Sequence, residues 1–327
     1  MSDDSGEQGV LTPAEQLDPD QLGEHDAVAD RAEALDAAAT MTGSSAAARS
    51  LEGVAAEPGV AKPDPILVAT DVSRSFGGLT AVDVGHLEVQ RGTITALIGP
   101  NGAGKSTFFN LVTGFDKPGS GRWSFNGTDL TGKPAYRIAR LGMVRTFQLT
   151  KALMRLTTLE NVMLGATEQR GERFLPAIVK PSWRSQEAEN EKRADELLER
   201  FRLTHMRDEF AGTMSGGQRK LLEMARAMMV RPELIMLDEP MAGVNPALTQ
   251  SLLGHIQALR DEGTTIVLVE HDMDVIMSIS DWIICFAEGE VIAEGRPEDI
   301  RSNRRVIDAY LGTRRALPGS EQEGSAS

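Results

Sequence analysis

Apolar residues along this chain switch between two rhythms. Thr93–Ile98 alternates β-branched and apolar residues and then meets Gly99, which predicts a strand running into a turn. Lys105–Val112 carries apolar residues at helical spacing and stops at Gly114, a helix-ending residue. Ahead of this unit, Ile66–Ala69 and Leu87–Val89 predict short strands around the turn Gly77-Gly78, a small antiparallel β subdomain. Met143–Gln148 predicts a further strand. From about Leu149 to Ala211 strand signals vanish. Glu187–Phe201 there has the pattern of a charged amphipathic helix, and Arg219–Met229 predicts another, so an inserted helical subdomain spans about 149–233. Strand signals return at the fully apolar Leu234–Leu237 and at Thr264–Val269, with a helix over Ala247–Arg260 between them. Trp282–Phe286 and Val291–Ala293 predict a terminal hairpin turning at Glu288-Gly289, and short helices near Pro297–Arg301 and Arg304–Leu311 close the body. Alternating strands and helices predict an α/β fold with a mostly parallel sheet.

Charge sharpens the domain limits. The net charge is −14, yet residues 1–60 hold 13 acidic residues against two arginines, so the remainder is close to balance. That first stretch has no aromatic residue and is rich in Asp, Glu, Ala, Gly and Ser. Such a composition buries too little apolar surface to offset its ordering entropy. Residues 1–62 are expected to be a disordered acidic extension, 63–312 a folded domain, and 313–327 a flexible tail. A near-neutral body carries no electrostatic footprint for nucleic acid. Cys285, the single cysteine, lies in a strand-like run and is expected to be a buried small hydrophobe in a reducing compartment. No signal peptide and no membrane-spanning stretch are expected.

The chemistry concentrates at strand ends. Gly99-Pro100-Asn101-Gly102-Ala103-Gly104-Lys105-Ser106-Thr107 sits between a strand and a helix, the context in which G-x-x-x-x-G-K-[ST] cradles phosphates. Glycines let loop amides converge on an anion, and the helix adds its positive end. Lys105 is placed to reach the terminal phosphates and Ser106 to ligate Mg²⁺. Asp238 and Glu239 end the apolar strand Leu234–Leu237, where carboxylates face the ligand crevice of a parallel sheet. Asp238 is expected to hold Mg²⁺, and Glu239 to polarise an attacking water. His271, after the strand Thr264–Val269, is a candidate γ-phosphate contact, and Gln148 a candidate contact to Mg²⁺ or to the water. Ser215-Gly216-Gly217-Gln218 opens the helix Arg219–Met229 and forms a second anion site. One γ-phosphate cannot occupy both sites of a compact subunit. The second is therefore expected to serve the ATP of a partner.

With these residues assembled, the sequence resembles the ATP-binding subunits of ABC transporters over residues 65–312. The phosphate loop at 99–107, Gln148, the signature Met214–Gln218, the acidic strand 234–239 and His271 occur in that family's order. Met214 stands where Leu is usual, and Phe76 where the family places an aromatic ring, most often Tyr, against adenine. Met241–Pro246 departs from the Ser-Ala-Leu-Asp of many members, with Asn245 at the position of the contact-making residue. The segments Phe76–Leu79, Asn110–Pro118, Arg145–Gln148, Glu239–Pro246 and Val306–Gly312 resemble the ATPases of branched-chain amino acid importers. The resemblance implies a P-loop NTPase core and hydrolysis of ATP with Mg²⁺ at the cytoplasmic face of the membrane. It implies a second ABC ATPase, the same or a paralogue, and two transmembrane permease subunits docked near Gln148–Leu164. Through the permeases it implies an extracytoplasmic substrate-binding protein. Other cargoes stay open, among them urea, small amides and envelope lipids. A soluble ABC ATPase acting on DNA or ribosomes would need a long coiled coil, a second nucleotide domain or basic surfaces, and none is visible.

Overall fold

The computed structural model describes residues 46–146, 154–167 and 181–315. Its centre is a six-stranded sheet of order β10-β9-β3-β8-β7-β6. Strands β3 (Ile94–Ile98), β7 (Leu234–Asp238) and β8 (Thr265–Val269) are buried almost throughout, as expected of a parallel sheet covered on both faces. β6 (Met143–Arg145) and β9 (Trp282–Ala287) extend the parallel pairing on either side, and only β10 (Glu290–Gly295) runs antiparallel at the edge. Residues one apart feed opposite faces. Ile94, Ala96 and Ile98 enter the core shared with the helical insertion, while Leu97 enters the core shared with the β subdomain.

That β subdomain is a second sheet of order β2-β1-β4-β5. β1 (Pro65–Phe76) and β2 (Leu79–Gln90) are 12 residues each, much longer than the short strands expected from local apolar runs. Ser75, Phe76, Leu79 and Thr80 beside the turn are exposed, and the antiparallel ladder extends both strands to them. β4 (Ser120–Phe125) and β5 (Thr128–Asp129) were not visible as strands in the sequence; β4 buries Trp123 and Phe125 against β1.

The described elements between β6 and β7 are all helices, joined by turns and one isolated bridge, Thr157 with Phe210. Helices Thr158–Met163, Pro181–Arg200 and Gly216–Met228 pack together and deliver Leu197, Leu198, Phe201, Leu222 and Met224 to the first core. Gln148 and residues 168–180 lie outside the described residues, as do residues 1–45 of the acidic extension and 316–327 of the tail.

Two limits move. The body begins before residue 63: Ala46–Arg49 is a helical turn, and Leu51 is 1% exposed in the second core beside Val54 and Val60. Lys62 is buried against Glu294 of β10 at 2.7 Å. Gly59 and Val60 donate their N–H groups to the same carboxylate at 2.6 and 3.1 Å, and Arg296 donates to the Leu51 carbonyl at 3.2 Å. The expectation of a tail through residue 62 is corrected accordingly. Acidic composition there hides one buried Leu and one buried Lys, which are tied to Arg296 and Glu294, 245 and 232 residues away, while the Lys62 N–H donates to Glu88 at 2.6 Å. At the other end, the last helix runs Arg304–Arg315, past the expected boundary at 312.

Candidate functional site

Parallel pairing places the chemistry of three strands at one level. Leu97 of β3 pairs with Val269 of β8, and Asp238 of β7 pairs with the same Val269. The phosphate-loop segment, the acidic pair and His271 therefore leave the sheet side by side at its carboxyl edge.

The loop 99–104 leads into α-helix Lys105–Val112, with Gly104 at its N-cap in a left-handed conformation, φ 101°. A Cβ at Gly104 would meet the Ala81 carbonyl oxygen at 2.3 Å, so the loop needs glycine for space as well as for conformation. Lys105 is buried, and its ammonium donates to the carbonyls of Gly99 at 2.6 Å and Pro100 at 3.0 Å. Burial lowers its pKa, opposed by the carboxylates of Glu239 and Asp238. A cation held over the loop with acids nearby is ready to exchange carbonyl oxygens for phosphate oxygens. Cys285 sits below it, fully buried, its thiol pushed up to about 12 by burial and thus protonated near neutrality.

Asp238 accepts from the Arg145 guanidinium at 2.6 Å, and Arg145 also donates to Asn110 of the phosphate-loop helix at 2.6 Å. Sequence reasoning gave Arg145 no role, because its partners lie 35 and 93 residues away. Glu239 adopts φ 48°, a left-handed conformation that costs roughly 1 kcal/mol for a non-glycine residue. Its N–H donates to Val269 at 2.9 Å, and Lys220 Nζ donates to its carbonyl at 3.3 Å. These bonds turn its side chain to His271, whose Nε2 lies 2.7 Å from Glu239 Oε1. Glu270, also unassigned from sequence, is a buried carboxylate that accepts from the N–H groups of Met241 at 2.7 Å and His271 at 3.2 Å. It ties the loop after β7 to the histidine. Burial raises its pKa, against those two bonds.

Among the described residues no three or more His, Cys, Asp or Glu are grouped to hold a metal. A magnesium ion needs fewer, because it keeps several waters and takes one or two protein oxygens beside phosphates. Asp238 and the Ser106 hydroxyl are hard oxygen donors of that kind, one at a strand end and one on the loop helix. The residues present fit the ion.

Phe76 is 48% exposed at the tip of the β1–β2 hairpin, with the Arg74 guanidinium 4.6 Å from its ring centre. Arg74 is fixed in turn by Asp116. The half-open ring is a stacking platform of the sort an adenine uses.

The signature lies on the helical insertion. Ser215 caps helix Gly216–Met228 through a reciprocal box: its Oγ accepts from the Gln218 N–H at 3.2 Å, and Gln218 Oε1 accepts from the Ser215 N–H at 2.9 Å. At Gly217 a Cβ would fall 1.8 Å from Leu248 Cδ2 of the helix Pro246–Asp261, so a larger residue there would displace the Leu248 side chain. Asn245 caps that helix by accepting from the Leu248 N–H at 2.9 Å. The structure thus gathers Lys105, Asp238, Glu239 and His271 in one crevice. The signature stands on a separate helix, where its own chain supplies the cap and the packing.

The family pattern described as "ABC transporter" matches residues 82–242, and that described as "Branched-chain amino acid ATP-binding cassette transporter" matches residues 290–316. A probable branched-chain amino acid transport ATP-binding protein, LivG of Archaeoglobus fulgidus, is 44% identical over 247 residues, 76% of this chain and 95% of that one. The chain belongs to the ATP-binding cassettes of ABC transporters. A second relative is the high-affinity branched-chain amino acid transport ATP-binding protein BraF of Pseudomonas aeruginosa. It is 43% identical over 250 residues, 76% of this chain and 98% of that one. Among solved structures, a nucleotide-free ATP-binding cassette superposes with TM-score 0.67 at 37% identity, covering 75% of this chain and 98% of that one. A cassette in its ADP conformation gives 0.66 at 36% identity, covering 76% and 99%. This cassette is an ATPase whose hydrolysis is coupled to transport. No helix among its described residues is long and apolar enough to cross a membrane.

Proposed function

We propose that this cassette powers uptake of branched-chain amino acids from the cytoplasmic face of a membrane, working as one of two head-to-tail ATPases beneath two permease subunits. The match at residues 290–316, together with relatives named for that transport over nearly their whole length, carries the cargo assignment.

Each chain supplies two half-sites. Lys105 and the loop amides hold the phosphates of one ATP, and Phe76 its base. Asp238 and Ser106, with Gln148, hold the Mg²⁺, which when bound screens phosphate charge. Glu239 orients the attacking water and takes up its proton density, and His271, 2.7 Å away, fixes the carboxylate and reaches the γ-phosphate. Ser215 and the first amides of its helix close over the ATP held by the partner. Gln218 is occupied with its own cap and acts by holding that helix start in place. ATP bridges the two chains and its products do not, so binding closes the pair and hydrolysis reopens it.

The permeases meet the cassette at a cleft of about 800 Å³ between the core and the helical insertion. Phe115, Tyr136 and Leu164 line it and are more than half exposed, an apolar patch of the kind that marks a protein contact. Arg145 lines the same cleft and grips Asp238, linking the docking surface to the nucleotide crevice.

Radiolabelled uptake in a strain lacking this protein tests the cargo. Leucine, isoleucine and valine uptake should fall together and return with the wild-type gene. Intact uptake of all three with loss of urea or amide uptake would reassign it.

A further inference from the structure

The backbone of Gly99 is gripped from two sides. Its carbonyl accepts from Lys105 Nζ at 2.6 Å, and its N–H donates to the hydroxyl of Tyr310 at 2.8 Å. Tyr310 belongs to the closing helix Arg304–Arg315, within the C-terminal segment 290–316, and packs its half-buried ring on the first core. Gly99 has no room to move the other way: at φ 141° its backbone passes so close to β9 that a Cβ would lie 2.1 Å from the Phe286 carbonyl oxygen. Burial raises the Tyr310 pKa, so the group stays a neutral phenol and its oxygen stays an acceptor.

We propose that Tyr310 is a positioning residue for nucleotide binding: its hydroxyl fixes the first residue of the phosphate loop and couples the C-terminal helix to occupancy of that loop. Without the hydroxyl the Gly99 N–H is left buried and unpaired. Relieving this takes a change of φ at Gly99, which shifts the Gly99 carbonyl that holds Lys105. Nucleotide affinity falls for that reason, while Glu239, Asp238 and His271, at the ends of other strands, keep their geometry. Coupling is reciprocal, so nucleotide must also change the stability of the C-terminal helix.

The inference rests on the phosphate-loop reading of residues 99–107, which Lys105→Ala tests separately by losing nucleotide binding. In the full-length protein, Tyr310→Phe should raise the Kd for a fluorescent ATP analogue and the KM for ATP about three- to tenfold, the reach of one hydrogen bond. It should leave kcat within about twofold, the signature of binding lost without transition-state loss. Phe keeps the ring, so melting temperature should fall less in Tyr310→Phe than in Tyr310→Ala. Hydrogen exchange over residues 304–310 should slow on adding ATP to the wild type and not respond in Tyr310→Phe. Unchanged Kd and KM in Tyr310→Phe overturn the proposal. So does a fall in melting temperature equal to that of Tyr310→Ala, which would make the contact structural only. Normal binding by Lys105→Ala would remove the loop reading and this inference with it.

Discussion

Glu239 and His271 follow different strands, yet their side chains meet at 2.7 Å, because parallel register sets both strand ends at one level. Local strain serves this meeting. Glu239 is held left-handed by its bond to Val269, which turns the carboxylate out of the sheet line. Glu239→Gln keeps the size of the side chain and removes its charge. Phosphate release should fall roughly 10²- to 10⁴-fold, the usual reach of a general base or water-orienting group. Nucleotide binding should persist, since the loop amides, Lys105 and Ser106 are untouched, and an ATP-dependent dimer should accumulate on size-exclusion chromatography. Hydrolysis at the wild-type rate would remove Glu239 from the catalytic role.

At the scale of elements, short capping devices fix where helices begin, and one glycine leaves room for a neighbouring side chain. The box at Ser215 and Gln218 starts the signature helix, and Gly217 lets Leu248 seat against it. Residues 46–62 form a strap that ends in the most buried ion pair among the described residues, Lys62 with Glu294, both side chains 1% exposed. Trp282 Nε1 donates to the same carboxylate at 2.8 Å, and Lys62 lies 4.5 Å over the Trp282 ring. Lys62→Met leaves a buried carboxylate without its cation, and chemical unfolding should show a loss of about 3 kcal/mol. Lys192→Met, which removes an exposed pair at 3.9 Å, should cost under about 0.5 kcal/mol. Equal small effects of the two would show that the strap adds no stability. Deleting residues 1–45 should leave melting temperature and ATPase rate nearly unchanged, while deletion through 62 should lower the former.

Across the whole molecule, the proposed docking cleft lies apart from the nucleotide crevice and reaches it through Arg145. Leu164, 56% exposed beside the cleft, makes no contribution to the core. Leu164→Asp should therefore leave ATP binding intact, yet break co-purification with the membrane subunits and lower transport by tenfold or more. A charge in a desolvated apolar contact opposes docking by about 2 kcal/mol or more. Normal co-purification would move the permease contact elsewhere.

The sequence by itself determined the order of the parts. Strand, glycine loop and helix at 94–112, acids after an apolar strand, and a serine-glycine cap on an amphipathic helix are each set by neighbours in the chain. Their chemistry therefore showed in local pattern, as did the fully buried β3, β7 and β8. Tertiary structure decided what depends on distant partners. The ladder lengthened β1 and β2 beyond their apolar stretches, and the chain returning after the helix Lys105–Val112 laid β4 beside β1. Arg145, Glu270 and Tyr310 entered the site through partners that lie 29 to 211 residues away, apart from the contact of Glu270 with its neighbour. The acidic composition before residue 63 spoke for a chain with no core of its own. It could not show that Leu51 and Lys62 would borrow one from β9 and β10, because burial by a remote surface leaves no periodic trace in the segment that is buried.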